Sequence, residues 1–86
     1  MKFMVFCIRD RAANCFGTPF FTASRGMAIR TFADSINNQS TDVLFKHPED
    51  FDLYELGCYF DETGKFVCNE PVQVSVGKDL KVANGA

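Results

Sequence analysis

The chain has 86 residues, a net charge of −2 and 47% hydrophobic residues, with 10 phenylalanines, 2 tyrosines and no tryptophan. That length suits one domain with a small core, since a chain of this size buries only about 60–65% of its unfolded surface. No apolar run is long enough to span a membrane, and the apolar start "MKFMVFCIRD" ends too soon for a secretory signal, so a cytoplasmic protein is expected.

"KFMVFCIR", residues 2–9, is apolar on both alternations. Phe3, Val5 and Cys7 point one way, and Met4, Phe6 and Ile8 the other. That is the pattern of a strand buried on both faces. "DRAANCFGT", residues 10–18, reads as a loop, and "PFFTA", residues 19–23, as a short second strand antiparallel to the first. Pro19 belongs at a strand start or on an edge, because its nitrogen has no hydrogen to donate.

A helix follows. Ser24 is a suitable N-cap, its hydroxyl accepting from a free backbone N–H two or three residues on. Ala28, Ile29, Phe32, Ala33 and Ile36 form one apolar stripe, and Asn37 and Asn38 end it. Its charges run the wrong way. Arg25 sits in the first turn and Asp34 in a later one, whereas the helix dipole prefers the reverse by about 0.3–1 kcal/mol per charge.

After a polar loop at 37–42, Pro48 suits the first position of a helical turn, with Glu49 and Asp50 favourably behind it. "FDLYELGCYF", residues 51–60, alternates. Strict alternation puts Tyr54, Leu56, Cys58 and Phe60 on one face and Leu53, Glu55, Gly57 and Tyr59 on the other. "DETGK", residues 61–65, is a hairpin loop in which Gly64 can take positive φ. "FVCN" returns, then "PVQVSV", residues 71–76, alternates with Val72, Val74 and Val76 on one side. Pro71 should break or bulge the ladder between them. The expected domain is residues 1–80, with a frayed tail at 81–86.

The expected fold is therefore α+β: a small two-layer domain with an antiparallel sheet of about four strands and one main helix, in the order β-β-α-β-β. One helix covers one face of such a sheet. The doubly apolar first strand needs a second cover: a partner subunit, the 39–50 loop, or a ligand that favours aromatic surfaces.

The four cysteines, at 7, 15, 58 and 68, have no CxxC spacing, and three lie in apolar runs. Reduced, buried, structural thiols are expected, without disulfides or a metal. Charge is uneven. Residues 1–40 carry five basic and two acidic groups, and residues 41–86 carry four basic and nine acidic ones. Such a split suits an anionic partner or electrostatic self-association, unless the two halves interleave in space.

Two features could carry binding. The strand-to-helix turn "TASRGMAIR" offers unpaired N–H groups to an anion, with Gly26 allowing close approach and Arg25 and Arg30 supplying charge. An ordinary serine-capped helix whose arginine is simply solvated is the commoner reading, since a strand–turn–helix with one glycine is not a phosphate-loop signature. The aromatic residues could stack the bases of single-stranded nucleic acid. Phe21 and Tyr59 are candidates, beside Phe20 and Tyr54, and Arg9 and Arg11 add to the basic half. Phe3, Phe6, Phe32, Phe60 and Phe66 are expected in the core. Catalysis has little support. His47 is the only histidine, and "HPED" reads as a helix start rather than a metal site. No enzyme and no cofactor are expected.

Four motifs, "PFF", "GMAIRTFADSIN", "HPEDFDLYELG" and "FDETGKF", come in an order and spacing that resembles the small nonstructural protein of gokushoviruses, tailless single-stranded DNA phages of the microvirus group. The matching positions include Pro19, Phe20, Gly26, Ala28, Arg30, Phe32, His47, Pro48, Glu49, Asp50, Leu56, Gly57, Gly64 and Phe66. The likeness covers about residues 1–67 and fades beyond, leaving the valine strand outside it. The resemblance implies a viral protein acting in the cytoplasm of a bacterial host, in producing or packaging single-stranded genomes. It brings no catalytic residues. Single-stranded DNA binding is the expected function. The alternative is a homo-oligomeric interaction module that acts on a phage or host replication or capsid protein without touching DNA.

Overall fold

The computed structural model describes residues 1–82. Strand β1 (Lys2–Asp10) is the centre of the fold. One of its edges is shared by two short antiparallel strands. β2 (Cys15–Phe16) pairs with Arg9 and Asp10, and β3 (Phe20–Thr22) pairs with Met4, Val5 and Phe6. Its other edge pairs antiparallel with β4 (Phe51–Phe60), and β5 (Lys65–Val76) lies beyond β4. With one main helix, α1 (Arg25–Ile36), this is the expected α+β fold. The additional strand, β2, falls within the stretch expected to be loop.

Helix α1 starts where Ser24 predicts. The Ser24 hydroxyl accepts from the Met27 N–H at 3.2 Å. Its stripe of Ala28, Phe32 and Ile36 is fully buried against Phe6, Phe51 and Leu53, with Met4, Ile8, Phe20 and Ile29 around them. Each large side chain sealed this way contributes roughly 1.5–3 kcal/mol.

Residues 39–50 form a 3₁₀ turn (Gln39–Thr41), helix α2 (Val43–Lys46) and a second 3₁₀ turn (Pro48–Asp50). Leu44 joins the same core, so this segment covers the helix side of the sheet and not the other. Helix α3 (Gly77–Leu80) closes that layer through Leu80. Residues 81 and 82 make hydrogen bonds to the helix layer. The Val82 N–H donates to Asn37 Oδ1, and Lys81 Nζ donates to the carbonyls of Ile36 and Phe45. The rest of the expected tail, 83–86, lies outside the described residues.

One irregularity decides which side chains share a face. β4 pairs Gly57 with Val5 but Glu55 with Phe6, so Leu56 is an extra residue in the ladder. Gly57 then adopts φ +146°. A β-carbon there would stand 2.9 Å from Cys68 Cα, so only glycine fits. The expected alternation of residues 51–60 therefore holds only on either side of Leu56. Leu53 and Glu55 face the helix, whereas Tyr59, expected on their side, lies opposite them beside Phe3. On β5, three residues (Asn69, Glu70 and Pro71) separate the partners of Gly57 and Glu55, which is the bulge that Pro71 predicts.

Candidate nucleic-acid interface

The register sorts the strands into two faces. Phe3, Val5, Cys7 and Arg9 of β1 point away from α1. Beside them stand Phe16 of β2, Phe21 of β3, and Asp52, Tyr54, Gly57 and Tyr59 of β4. Phe66, Cys68, Gln73 and Val76 of β5 complete the row. None of α1, α2 or α3 lies on this face. Val5 and Cys7 are buried all the same, since Phe21 stands beside Val5 and Tyr54 beside Cys7.

The aromatic rings gather in two groups. Phe21, Tyr59 and Phe66 contact one another, with centroids 4.8–6.2 Å apart. Phe16 and Tyr54 meet edge to face at 5.3 Å. Phe66 is 55% exposed and Phe21 49%, although the sequence pattern placed Phe66 in the core. The hairpin carries Phe66 to the surface, because Phe60 pairs with Lys65 and so Tyr59 pairs with Phe66. Phe20, by contrast, turns inward and packs on Phe6 at 6.1 Å.

Charge on this face comes from two residues. Arg9 lies over Phe16, its guanidinium carbon 5.3 Å from the ring centroid, within cation–π range. One Arg9 nitrogen donates to Asn14 Oδ1 at 3.0 Å, while its buried Nε has no hydrogen-bond partner. Asp52 is only 1% exposed. Arg11 Nε stands 2.8 Å from its Oδ2, close enough for charge attraction but not aligned as a hydrogen bond. No exposed carboxylate occurs among the residues the register assigns to the face.

The sequence-derived site residues divide. Arg9, Phe21 and Tyr59 share the open face. Arg11 is a brace: besides Asp52, it donates to the Glu49 carbonyl from its side chain and to the Asp50 carbonyl from its backbone. It thereby fixes the "HPED" turn to the end of β1. Arg25, Gly26 and Arg30 sit on the opposite layer. Both Nε and Nη2 of Arg25 donate to Glu55 Oε1, at 3.0 and 2.8 Å. Gly26 and Arg30 line a shallow depression with Ser24 and Met27.

All four cysteines are free. Cys7 is buried, and burial pushes its thiol up from the usual range. Cys58 is half-buried, but Cys15 and Cys68 are exposed, against the expectation of buried thiols. Cys15 lies on a two-residue edge strand and Cys68 on the open face. His47, Glu49 and Asp50 bring ligand-type atoms within 4.8 Å of one another. The carboxylates lie in the first turn after Pro48, as in a helix start.

A family model described as Phage ORF5 protein matches residues 3–80. The chain belongs to the Phage ORF5 protein family. It is 32% identical over 69 residues to Protein ORF5 of Chlamydia phage 1, a gokushovirus, covering 77% of this chain and 72% of that one. The ORF5 pattern runs past residue 67 through β5 to α3, so the valine strand expected to stand outside the family belongs to it. No solved structure matches. Among the described residues, no helix of this ORF5 protein is long and apolar enough to cross a membrane.

Proposed function

We propose that this phage protein binds single-stranded DNA on the open face of its sheet, in the synthesis or packaging of the genome. The observation that carries the proposal is the cluster of Phe21, Tyr59 and Phe66, two of its three rings exposed, on a face whose register-paired residues include no exposed carboxylate. Bases stack on such rings for about 1–3 kcal/mol each, whatever their identity. Arg9 supplies the phosphate contact. The two aromatic groups flank β1 near Phe3 and Cys7, four residues apart or about 13 Å, so one strand can touch both. In this proposal Arg11 and Arg25 hold the fold and do not touch DNA.

Fluorescence anisotropy with a labelled oligothymidylate tests it. Phe21→Ala and Tyr59→Ala should each weaken binding about 5- to 150-fold, the equivalent of one lost stack. Thermal melts of the same variants confirm the fold. Binding by both variants at the parent's affinity, or no binding by the parent at low salt, overturns the proposal.

The exposure of Phe16, Phe21 and Phe66 on one face also favours a second reading, a homo-oligomer sealed through this face. Sedimentation across protein concentration separates the two. A dimer that oligonucleotide does not dissociate belongs to the second reading.

A further inference from the structure

The open face is not flat. Beside Gly57 it sinks into a hollow of about 410 Å³ lined by Val5, Pro19, Phe21, Leu56, Phe66 and Cys68. That volume is in the range of small-molecule sites, roughly 300–1,000 Å³. The bulge makes it. Val5, Gly57 and Cys68 form one row across three strands, and the central member has no side chain. Leu56, displaced from both ladders, is one of its lining residues.

We infer that this hollow takes one base of the bound strand and leaves its hydrogen-bonding edge unread. The inference rests on the single-stranded DNA proposal above. A phosphate does not fit, because no cation lines the hollow and its apolar walls cannot replace the hydration of a charge. A planar, uncharged ring does fit, with Phe21 and Phe66 to contact it. Charge favours a nucleic acid as its carrier. Arg9 lies on the same face, and Asp52, the one carboxylate among the residues the register pairs there, is buried against Arg11. Apart from the cysteine thiols, no polar side chain lines the hollow, so it has no means to tell one base from another.

The native cysteines report on this directly. Cys68 lines the hollow, while Cys15, also exposed, lines a separate cavity with Ile8, Leu44 and Phe51. The full-length protein is alkylated with iodoacetamide, and modification at each cysteine is followed by peptide mass spectrometry. Oligothymidylate at about ten times its Kd, measured by anisotropy, should slow alkylation of Cys68 about tenfold and leave Cys15 unchanged. Oligodeoxyadenylate and oligodeoxycytidylate at matched occupancy should protect Cys68 to the same degree.

Binding without protection of Cys68 overturns the inference but leaves the DNA proposal standing. Equal protection of Cys15 and Cys68 shows general tightening and also overturns it. Protection by one base alone refutes the unread edge. Protection that grows with protein concentration in the absence of DNA puts a second copy in the hollow instead. Absence of any binding removes the inference together with the proposal beneath it.

Discussion

Gly57 is where the fold and the open face depend on one another, and a series of glycine-to-alanine changes tests this. At Gly57, alanine would have to adopt φ +146°, a strained conformation that costs about 1–3 kcal/mol. Its β-carbon would also sit 2.9 Å from Cys68 Cα, and crowding of that kind costs about 1–3 kcal/mol more. The expected loss is about 2–6 kcal/mol, out of a total stability of about 4–13 kcal/mol for a domain of this length. At Gly64, φ is +70° but nothing lies within 4 Å, so alanine costs only about 1 kcal/mol of backbone strain. At Gly26, in the first turn of α1, a β-carbon meets only Ser24 Oγ at 3.9 Å. Alanine there should be neutral or add up to about 1 kcal/mol, because it is the better helix former. Urea melts followed by far-UV circular dichroism give all three values. The thermal midpoint of Gly57→Ala should fall by at least about 8 °C, given about 4–8 °C per kcal/mol in a small domain. If Gly57→Ala stays within about 0.5 kcal/mol of the parent, or costs less than Gly64→Ala, the bulge is not rigidly specified. The register that puts Tyr59 and Phe66 on the open face would then lose its physical basis.

Three further outcomes are expected. Arg9→Ala should reduce the slope of log affinity against log salt by about 0.7, so between 50 and 200 mM salt the variant should lose about 2.6-fold less affinity than the parent; an unchanged slope removes Arg9 from the phosphate path. Arg25→Ala should lower stability by about 1 kcal/mol, the worth of a partly exposed pair, and a double-mutant cycle with Glu55→Gln should recover most of that as coupling. Cys7 adds a pH term. Its folded thiol is harder to ionise than the unfolded one, so its contribution is complete below the unfolded value near pH 8.5 and is lost as pH rises toward the folded value. Stability should decline above about pH 8, and Cys7→Ala should lessen that decline without removing it, because the Met1 amine, held charged by Asp61, also loses its stabilisation as pH rises.

Local chemistry made much of the fold legible. Ser24, the stripe on α1, Pro48 and Gly64 each act through neighbours a few residues away, and each marks its element in the sequence. The face assignment of β4 was hidden by a longer-range cause. Alternation carries no sign of an extra residue, and Leu56 reads as one more apolar position in a regular strand. One clue was present. A hairpin closed over residues 61–64 makes Tyr59 and Phe66 partners, so once Tyr59 is a surface candidate Phe66 must be one too. The hollow had no such clue, because its walls come from β1, β3 with the residue Pro19 before it, β4 and β5, which meet only in three dimensions.

The reversed charges of α1 resolve in the same non-local way. Arg25, unfavourable beside the positive end of the helix, is held by Glu55 from the middle of β4. Glu55 is mostly shielded, with 15% of its side chain exposed, so its charge acts with less screening than a surface carboxylate's. The last turn of α1 has no basic residue of its own. Lys81, 45 positions beyond Ile36, donates to the Ile36 carbonyl at 3.2 Å and sets a positive charge at the negative end. Both terminal charges thus arrive from the far half of the chain. Arg25 and Lys81 tie the helix to the sheet and to the closing segment, and each has its partner inside the fold. The basic first half is therefore less available to an anion than a count of arginines implies. With Arg11 held by the turn at 48–50 and Arg25 by Glu55, Arg9 is the arginine left on the aromatic face. A surface with one such charge and several rings should bind by stacking more than by counterion release. Its affinity for single-stranded DNA should therefore depend only weakly on salt, with a slope near −0.7 rather than the several units of a basic groove. A steep slope in the parent protein would mean that phosphates are held elsewhere, with Arg30 beside Gly26 the next group to test.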